Sequence, residues 1–249
     1  MTAGGGATTE DHLLGGRVRL RQPEAGYRAA IDPVLLAAAV PARPGDSVLD
    51  LGCGAGAAAL ALAARVPEAS VTGLERDPDL IALCAANIAL NEMAGRLRAL
   101  VGDVAAPPAD LAAGTFDHAM ANPPFLEAGT ADPSPDAGRR AANIEGTADL
   151  SDWIAAALAA VRRKGTVTFI HRADRLDDLV AGLHGPAGGI TILPLWPRAG
   201  APAKRVIVAA RKGVKSPARL LPGLVLHDAG GAYTAAAEAV LRDGAALVA

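Results

Sequence analysis

Short apolar segments alternate with longer helical patterns along most of the chain. Five segments have the length and composition of buried strands, and turn-forming residues lie near their ends. They are Ser47–Leu51, Ser70–Glu75, Leu97–Val101, Phe116–Ala121 and Thr166–Ile170. The patterns between them predict helices over Gly56–Arg65, Pro78–Leu90, Leu150–Val161 and Ala173–Leu183. This order predicts an α/β fold in which helices cover both faces of a mostly parallel sheet.

The N-terminal part of the chain departs from this alternation. Residues 1–15 are predicted to form a flexible tail. The alternating segment Val18–Arg21 then predicts a short strand. A helix is expected to begin at Asp32-Pro33 and to continue through Val34–Val40, because aspartate caps a helix and proline fits its first turn. Residues 16–45 are therefore expected to form a strand-and-helix cap.

The C-terminal part is predicted to be antiparallel. Ile190–Trp196 and Lys204–Ala210 resemble two strands of a hairpin, and Tyr233–Leu241 predicts a last helix. Residues 126–148 contain Pro133, Pro135 and Gly138 and are expected to form a long loop that covers a site. No linker divides the chain, so we expect one domain over residues 16–249 with its core at 46–249.

Composition narrows the class of protein. The 249 residues are 51% hydrophobic but only 3% aromatic, which favours helices that pack closely through small side chains. The sequence contains no apolar run of about 20 residues and no signal-peptide pattern at its start. Cys53 and Cys84 are the only cysteines and have no paired histidine spacing. We expect a cytoplasmic protein with reduced thiols and neither a membrane span nor a metal site.

Charge is distributed unevenly between the two parts of the chain. Residues 1–150 carry 11 basic and 19 acidic residues, whereas residues 151–249 carry 13 basic and 7 acidic residues. The net charge of −2 argues against binding of nucleic acid by bulk charge. The basic C-terminal part is compatible either with a phosphate-binding face or with an ordinary solvated surface.

The strand Phe116–Ala121 ends on Asn122-Pro123-Pro124-Phe125. Proline cannot donate to a sheet ladder, so this pair takes the chain out of the sheet at its carboxyl edge, where α/β sheets bind ligands. An amide oxygen, a proline carbonyl and an aromatic face suit a planar group that carries an NH2. These four residues are the candidate catalytic residues, with Asn122 also expected near the cofactor.

A second set of residues predicts a cofactor that contains adenosine. Asp50 precedes a glycine-rich turn, Glu75 ends the next strand and can accept ribose hydroxyls, and Asp103 follows the third strand and can reach an adenine amine. The glycines allow close approach of the backbone to a ligand. The full set of candidate cofactor-binding residues is Asp32, Asp50, Gly52, Cys53, Gly54, Gly56, Glu75, Arg76, Asp103, Val104 and Asn122.

Two cofactors compete for this set. Gly52, Gly54 and Ala57 satisfy the loose dinucleotide pattern G-x-G-x-x-G/A. Asp50 would repel a pyrophosphate but suits the ammonium group of a methionine moiety. This carboxylate, together with Asp103 as an adenine partner, favours S-adenosylmethionine.

The cofactor residues and Asn122–Phe125 together resemble class I methyltransferases that act on amino groups and carry an N/D-P-P-F/Y/W motif. The resemblance implies a Rossmann-like fold with a seven-stranded, mostly parallel sheet and a C-terminal antiparallel hairpin. Residues 16–36 and the segment Leu220–His227 with Tyr233-Thr234 are similar to the bacterial tRNA(Val) adenine-N6 methyltransferases. That family implies methylation of an anticodon-loop adenosine, and it implies that the region of Asp32 lies near the methionine end of the cofactor.

The residues leave other functions open. Release-factor glutamine-N5 methyltransferases use a similar motif that usually ends in tyrosine, but they carry a helical domain for which the 46 residues before the first core strand are too few. RNA guanine-N2 methyltransferases also use Asn-Pro-Pro-Phe. A cofactor-binding module without catalysis is the non-enzyme alternative, and intact Asn122 and Phe125 argue against it.

We expect an RNA substrate, with tRNA favoured, that binds through the basic C-terminal part. The sequence does not decide between a monomer and a homodimer.

Overall fold

The computed structural model describes residues 7–24, 28–108, 111, 113–124 and 148–247. Within these residues the strands are β1 (Thr8–Leu13), β2 (Val18–Pro23), β3 (Ser47–Leu51), β4 (Ser70–Glu75), β5 (Leu97–Val101), β6 (Phe116–Ala121), β7 (Val161–Arg172), β8 (Ala187–Arg198), β9 (Arg205–Lys212), β10 (Arg219–Leu220) and β11 (Leu224–His227). The helices are α1 (Asp32–Ala39), α2 (Ala57–Arg65), α3 (Pro78–Leu90), α4 (Leu150–Ala160), α5 (Leu176–Leu183) and α6 (Ala235–Leu241).

The main sheet has the order β10-β8-β9-β7-β6-β3-β4-β5, with β11 also paired to β8. Strands β3 to β7 run parallel to one another, and β9 runs antiparallel between β7 and β8. This confirms the predicted α/β fold and its C-terminal antiparallel hairpin. The carboxyl ends of β3, β4, β5 and β6 consequently lie side by side at one edge, which we call the carboxyl edge.

The sheet is larger than the resemblance implied. Strands β3 to β9 are the seven expected strands, and β10 and β11 bring the described sheet to nine. Both added strands pair with β8, and they are only two and four residues long on either side of Pro222-Gly223. Strands this short produce no recognisable alternation in the sequence, which explains why they were missed.

Strand β7 is also longer than predicted. It begins at Val161, directly after α4, rather than at Thr166. The basic triplet Arg162-Arg163-Lys164 is exposed, and the pairing of β6 with β7 is irregular between Phe116 and His118. A polar run at an irregular ladder obscures the strand signal.

The N-terminal tail was partly wrong as a prediction, because Thr8–Leu13 forms β1 and pairs antiparallel with β2. The strand is mostly polar, and its exposure alternates with no residue fully buried. It is stabilised across the ladder by ion pairs of Glu10 with Arg19 and Arg21. A strand that buries no apolar face leaves no hydrophobic pattern to detect.

Helices cover both faces of the main sheet, as predicted. Helices α1, α2 and α3 pack on one face, and α4 and α5 pack on the other. Asp77 caps α3 through the Asp79 and Leu80 amides, at 2.8 and 3.3 Å, and Asp149 and Asp152 form a capping box that begins α4. Helix α5 is preceded by a 3-10 turn over Ala173–Arg175, where the sequence predicted continuous helix. Because helices cover both faces of the sheet, the strand ends remain as the place for a site.

None of the helices in the described ranges is long and apolar enough to cross a membrane. Among the same residues, no three or more histidine, cysteine, aspartate or glutamate side chains are grouped as metal ligands.

Candidate active site at the carboxyl edge

The ends of four neighbouring strands bring most of the predicted site residues together. Leu51 lies beside Leu74 on one side and Ala121 on the other, and Glu75 lies beside Val101. The glycine-rich loop, Arg76 and Asn122 each follow one of these strand ends directly, and Asp103 lies one residue further beyond the end of β5. Residues that are distant in the sequence therefore share one edge of the sheet.

The three glycines of the loop have different roles. Gly52, Gly54 and Gly56 have φ values of 65°, 54° and 92°, which strain any other residue. A Cβ atom on Gly52 would lie 2.4 Å from the ring of Trp153, and one on Gly56 would lie 2.7 Å from the sulfur of Cys84. A Cβ atom on Gly54 would have no described atom within 4 Å. Gly52 and Gly56 thus permit packing, whereas Gly54 leaves space beside the loop for a ligand.

Glu75 fixes the loop to the end of β4. Its Oε2 accepts the Gly54 N–H at 3.0 Å, and its Oε1 accepts the Arg76 and Asp77 N–H groups at 2.9 and 3.0 Å. A carboxylate has about four acceptor positions, so these three bonds leave capacity for a ligand hydroxyl. Arg76 itself is exposed. Contact of Glu75 with a ribose stays a prediction.

Asp50 is a buried acid beneath the loop. It is 2% exposed, and its Oδ2 has no hydrogen-bond partner among the described residues. Burial, followed by the negative charge of Glu75, raises the pKa of Asp50 to about 8, although the Ala59 amide partly opposes the shift. A buried acceptor without a donor fits a cationic or NH-bearing ligand group at this point.

Asp103 and Val104 follow β5 at the same edge. The Gly102 N–H continues the ladder by donating to the Glu75 carbonyl at 2.9 Å, and Asp103 Oδ1 accepts the Ala105 N–H at 2.9 Å. Val104 is buried and belongs to the same hydrophobic cluster as Leu74. This pair provides one partly exposed carboxylate beside apolar surface, a combination that suits a purine.

Asn122, Pro123 and Pro124 leave the sheet directly after β6, as predicted. Pro123 is buried, Asn122 and Pro124 are partly buried, and the Asn122 side-chain oxygen is itself buried. Phe125, and the loop expected over residues 126–148 except Ala148, lie outside the described residues. The three described residues of the motif therefore lie next to the strand that carries the glycine-rich loop.

His171 near the end of β7 is a neighbour that the sequence did not identify. It is fully buried, and the Pro124 backbone is one of the groups that act on its pKa. Burial, and then the charge of Arg175, lowers its pKa to about 4, so the ring is neutral near pH 7. The signal in the sequence that could have identified His171 is its position directly after the apolar segment Thr166–Ile170. A neutral, buried ring therefore lies near the backbone of the motif.

Asp32 also lies at the carboxyl edge, but at a different place from the glycine-rich loop. It begins α1, and its Oδ2 is 3.0 Å from Nε of Arg205 at the start of β9. The structure thus pairs Asp32 with the hairpin, and its contact with a methionine moiety stays a prediction. Nothing in the local sequence marks Arg205 as a site residue, because its partner lies 173 residues away.

Cys53 occupies an interior position. A hydrogen bond with the Cys84 thiol, and then burial, raises the pKa of Cys53 well above its usual range. A Cβ atom on Gly73 would lie 2.6 Å from its sulfur. Cys53 is therefore a small packing residue under the loop rather than a nucleophile.

His118 is buried at the opposite edge of the sheet. Its Nε2 atom lies 3.1 Å from Oδ2 of Asp46.

Comparison with known proteins bears on the family and the fold of this chain. Residues 29–135 match the methyltransferase small domain. The chain is 30% identical to the tRNA1(Val) (adenine(37)-N6)-methyltransferase of Actinobacillus succinogenes, over 70% of this chain and 71% of that protein. The chain belongs to the tRNA1(Val) adenine-N6 methyltransferase family. It is 33% identical to the family member of Porphyromonas gingivalis over 66% of each chain, so the match spans about two thirds of these relatives.

A solved structure outside the named family members has the same fold. The protein, from Agrobacterium tumefaciens, is described as a predicted O-methyltransferase. It is 28% identical, with a TM-score of 0.73 over 88% of this chain and 99% of that one. The fold shared with this methyltransferase thus extends over most of the chain.

Proposed function

We propose that this chain transfers the methyl group of S-adenosylmethionine to the exocyclic N6 amine of an adenosine in tRNA. The proposal rests chiefly on the position of Asn122-Pro123-Pro124, which follow β6 beside the strand that leads into the glycine-rich loop. Family membership supports the same reaction. A tRNA substrate also implies a cytoplasmic enzyme.

The residues that would hold the cofactor fit its chemistry. Asp50 offers an unsatisfied buried oxygen to the ammonium group, Gly54 leaves room beside the loop, Glu75 retains acceptor capacity for a ribose, and Asp103 can accept from the adenine amine. The bound cofactor supplies an electrophilic methyl group on a sulfonium. Val104, which follows Asp103 and is 7% exposed, would contact the adenine ring only through the small part of its side chain that is accessible.

Catalysis by the motif is positional and electrostatic. The N6 lone pair of adenine is delocalised into the ring, so the amine is a weak nucleophile. Asn122 Oδ1 and the Pro123 carbonyl would accept its two hydrogens and direct the lone pair at the methyl carbon. Once the N–C bond forms and the S–C bond breaks, the nitrogen is strongly acidic and loses its proton to solvent. Stacking of the base on Phe125 would contribute about 1–3 kcal/mol.

Labelled methyl transfer tests the proposed substrate. Purified enzyme is incubated with labelled S-adenosylmethionine and with separate tRNA, rRNA and protein fractions, and the products are hydrolysed and identified. We expect N6-methyladenosine in the tRNA fraction and none with Asn122→Ala. Label in N2-methylguanosine or in a protein glutamine would instead support one of the two alternative reactions.

The topology places eleven of the thirteen basic residues of the C-terminal part in two groups. At the carboxyl edge lie Arg172, Arg175, Arg198, Lys204 and Arg205. At the opposite edge lie Arg162, Arg163, Lys164, Arg211, Lys212 and Lys215. Six residue steps separate the pair Thr166–Arg211 from the pair Arg172–Arg205, which is about 20 Å of strand. Of the two groups, the carboxyl-edge group is the one adjacent to the motif, and we assign the RNA phosphates to it.

Matched charge removal tests this assignment. The exposed pair Arg198→Gln/Lys204→Gln is compared with the exposed pair Arg163→Gln/Lys215→Gln, which removes the same charge at the opposite edge. The first double variant should weaken tRNA binding and reduce the slope of log affinity against log salt by about 1.5, since each phosphate contact contributes about 0.7 to 0.9. A larger effect of the second double variant would place the RNA at the opposite edge.

A further inference from the structure

The side chains of two asparagines bind the backbone of β2. Asn87 lies within α3, and Asn91 directly follows its last residue. Asn87 Oδ1 accepts the Arg21 N–H at 2.9 Å, and its Nδ2 donates to the Arg21 carbonyl at 2.9 Å. Asn91 makes the same two bonds with Arg19, at 2.9 and 2.7 Å. Four helical residues rise about 6.0 Å and two strand residues about 6.6 Å, so the spacings match. The two side-chain amides thus bind backbone groups of β2 that a neighbouring strand would otherwise bind.

Asn87 makes one further bond that Asn91 does not. Its Nδ2 also donates to the Ala55 carbonyl at 2.9 Å, and Ala55 lies between Gly54 and Gly56 in the glycine-rich loop. The remaining Nδ2 hydrogen of Asn91 goes to the Asn87 carbonyl in its own helix, at 2.8 Å. Asn87 thus joins the β1–β2 hairpin to the cofactor loop, whereas Asn91 joins the hairpin only to α3.

The burial of Asn87 makes this junction stiff. Asn87 is 0% exposed, and its oxygen and both amide hydrogens are engaged by backbone groups. Loss of the side chain would leave those backbone groups buried without their partner, which is costly. The Ala55 carbonyl is therefore held in one orientation, and with it the peptide plane between Ala55 and Gly56.

We propose that Asn87 is a positioning residue for cofactor binding, and that it couples the N-terminal hairpin to the cofactor loop. Asn87 acts through the loop and contacts no reacting atom. By reciprocity, a cofactor that orders the loop also orders β2. The proposal depends on the cofactor part of the proposed function and is independent of the identity of the RNA.

Cofactor binding in matched variants tests the role of Asn87. Affinity for S-adenosylhomocysteine is measured by calorimetry, so a wrong RNA substrate cannot affect the result. Asn87→Leu should raise the dissociation constant about tenfold, as expected for loss of a buried hydrogen bond that orders the loop, while Asn91→Leu should change it less than about twofold. In turnover assays Asn87→Leu should raise KM for the cofactor and leave kcat near that of the unmodified enzyme. Equal losses of affinity in the two variants, or no loss in Asn87→Leu, would overturn the proposal.

Hydrogen exchange of the unmodified chain provides a test that does not depend on the folding of a variant. Saturation with S-adenosylhomocysteine should slow exchange in the peptide that contains residues 18–23, although those residues lie outside the site. Asn87→Asp, which keeps the acceptor and loses both donated bonds, should abolish this protection and should keep the protection of peptides from β4. Unchanged exchange of residues 18–23 in the unmodified chain on cofactor binding would contradict the coupling.

Discussion

Asp50 should make cofactor affinity depend on pH. Burial and the charge of Glu75 raise its pKa to about 8, so below pH 8 the carboxyl group is mostly protonated in the free protein. A bound ammonium group favours the ionised carboxylate. Binding near pH 7 should therefore release a proton from Asp50.

The magnitude follows from the shifted pKa. Each pH unit below the pKa costs about 1.4 kcal/mol to ionise the group, so at pH 6 ionisation of Asp50 costs about 2.7 kcal/mol. The dissociation constant should rise about tenfold for each pH unit below about 7.5. Above about pH 8 an α-amino group loses its own charge, so affinity should pass through a maximum near pH 8.

Calorimetry with the cofactor measures both effects. Titrations at pH 6, 7 and 8, each in two buffers with different ionisation enthalpies, give the affinity and the number of protons released. Asp50→Asn should bind more weakly at pH 8 and should release no proton at pH 6. Binding without proton release in the unmodified enzyme, or the same release in Asp50→Asn, would refute this role of Asp50.

The same group affects the stability of the free protein with a definite sign. The unfolded chain ionises Asp50 near pH 4 and the folded chain near pH 8, so between these values the folded state binds more protons and its stability falls as pH rises. The contribution at pH 7 is about 4 kcal/mol of lost stability. The free energy of unfolding in urea is measured at pH 5 and pH 8. In Asp50→Asn the difference between the two values should lack the contribution of this carboxyl group. An unchanged difference between the two pH values would show that Asp50 is already ionised when folded.

Three further predictions concern the same edge. Asn122→Ala should abolish methyl transfer while the dissociation constant for the cofactor changes less than about twofold, since the amide contacts the acceptor amine. Calorimetry measures the binding and a turnover assay the activity, and lost binding with retained activity would contradict this role. Glu75→Ala should weaken cofactor binding by at least about tenfold because the loop loses its anchor and the ribose its acceptor, and an unchanged constant would contradict both roles. Gly52→Ala should destabilise the protein by at least about 2 kcal/mol in urea because of the clash with Trp153. Gly54→Ala should cost only about 1 kcal/mol but weaken cofactor binding, and the reverse order would contradict the separate roles of the two glycines.

The parallel core could be predicted because its signals are local. Strands such as Ser47–Leu51 are short apolar runs followed at once by glycine or an acidic residue, and parallel pairing places their carboxyl ends together whatever the intervening sequence. For this reason the sequence alone assigns Asp50, Glu75 and Asn122 to one site.

The features that were missed depend on contacts between distant residues. The pairing of Asp32 with Arg205 joins positions 173 residues apart, and the bond between Asn87 and Ala55 joins positions 32 apart. Strand β1 is held by polar cross-strand pairs, and neither kind of contact leaves a periodic pattern. Polar side chains that bind backbone at a distance are common to sites and to scaffolds, so the sequence alone does not separate them.

The asparagine contacts along β2 also bear on solubility. A strand that exposes unpaired N–H and C=O groups can recruit the same strand of another molecule and begin edge-to-edge aggregation. On the side of β2 that faces α3, the backbone groups of Arg19 and Arg21 are already bound by Asn91 and Asn87. The helix therefore blocks this edge with side-chain amides, so the N-terminal hairpin can remain polar and small without offering this side to other chains.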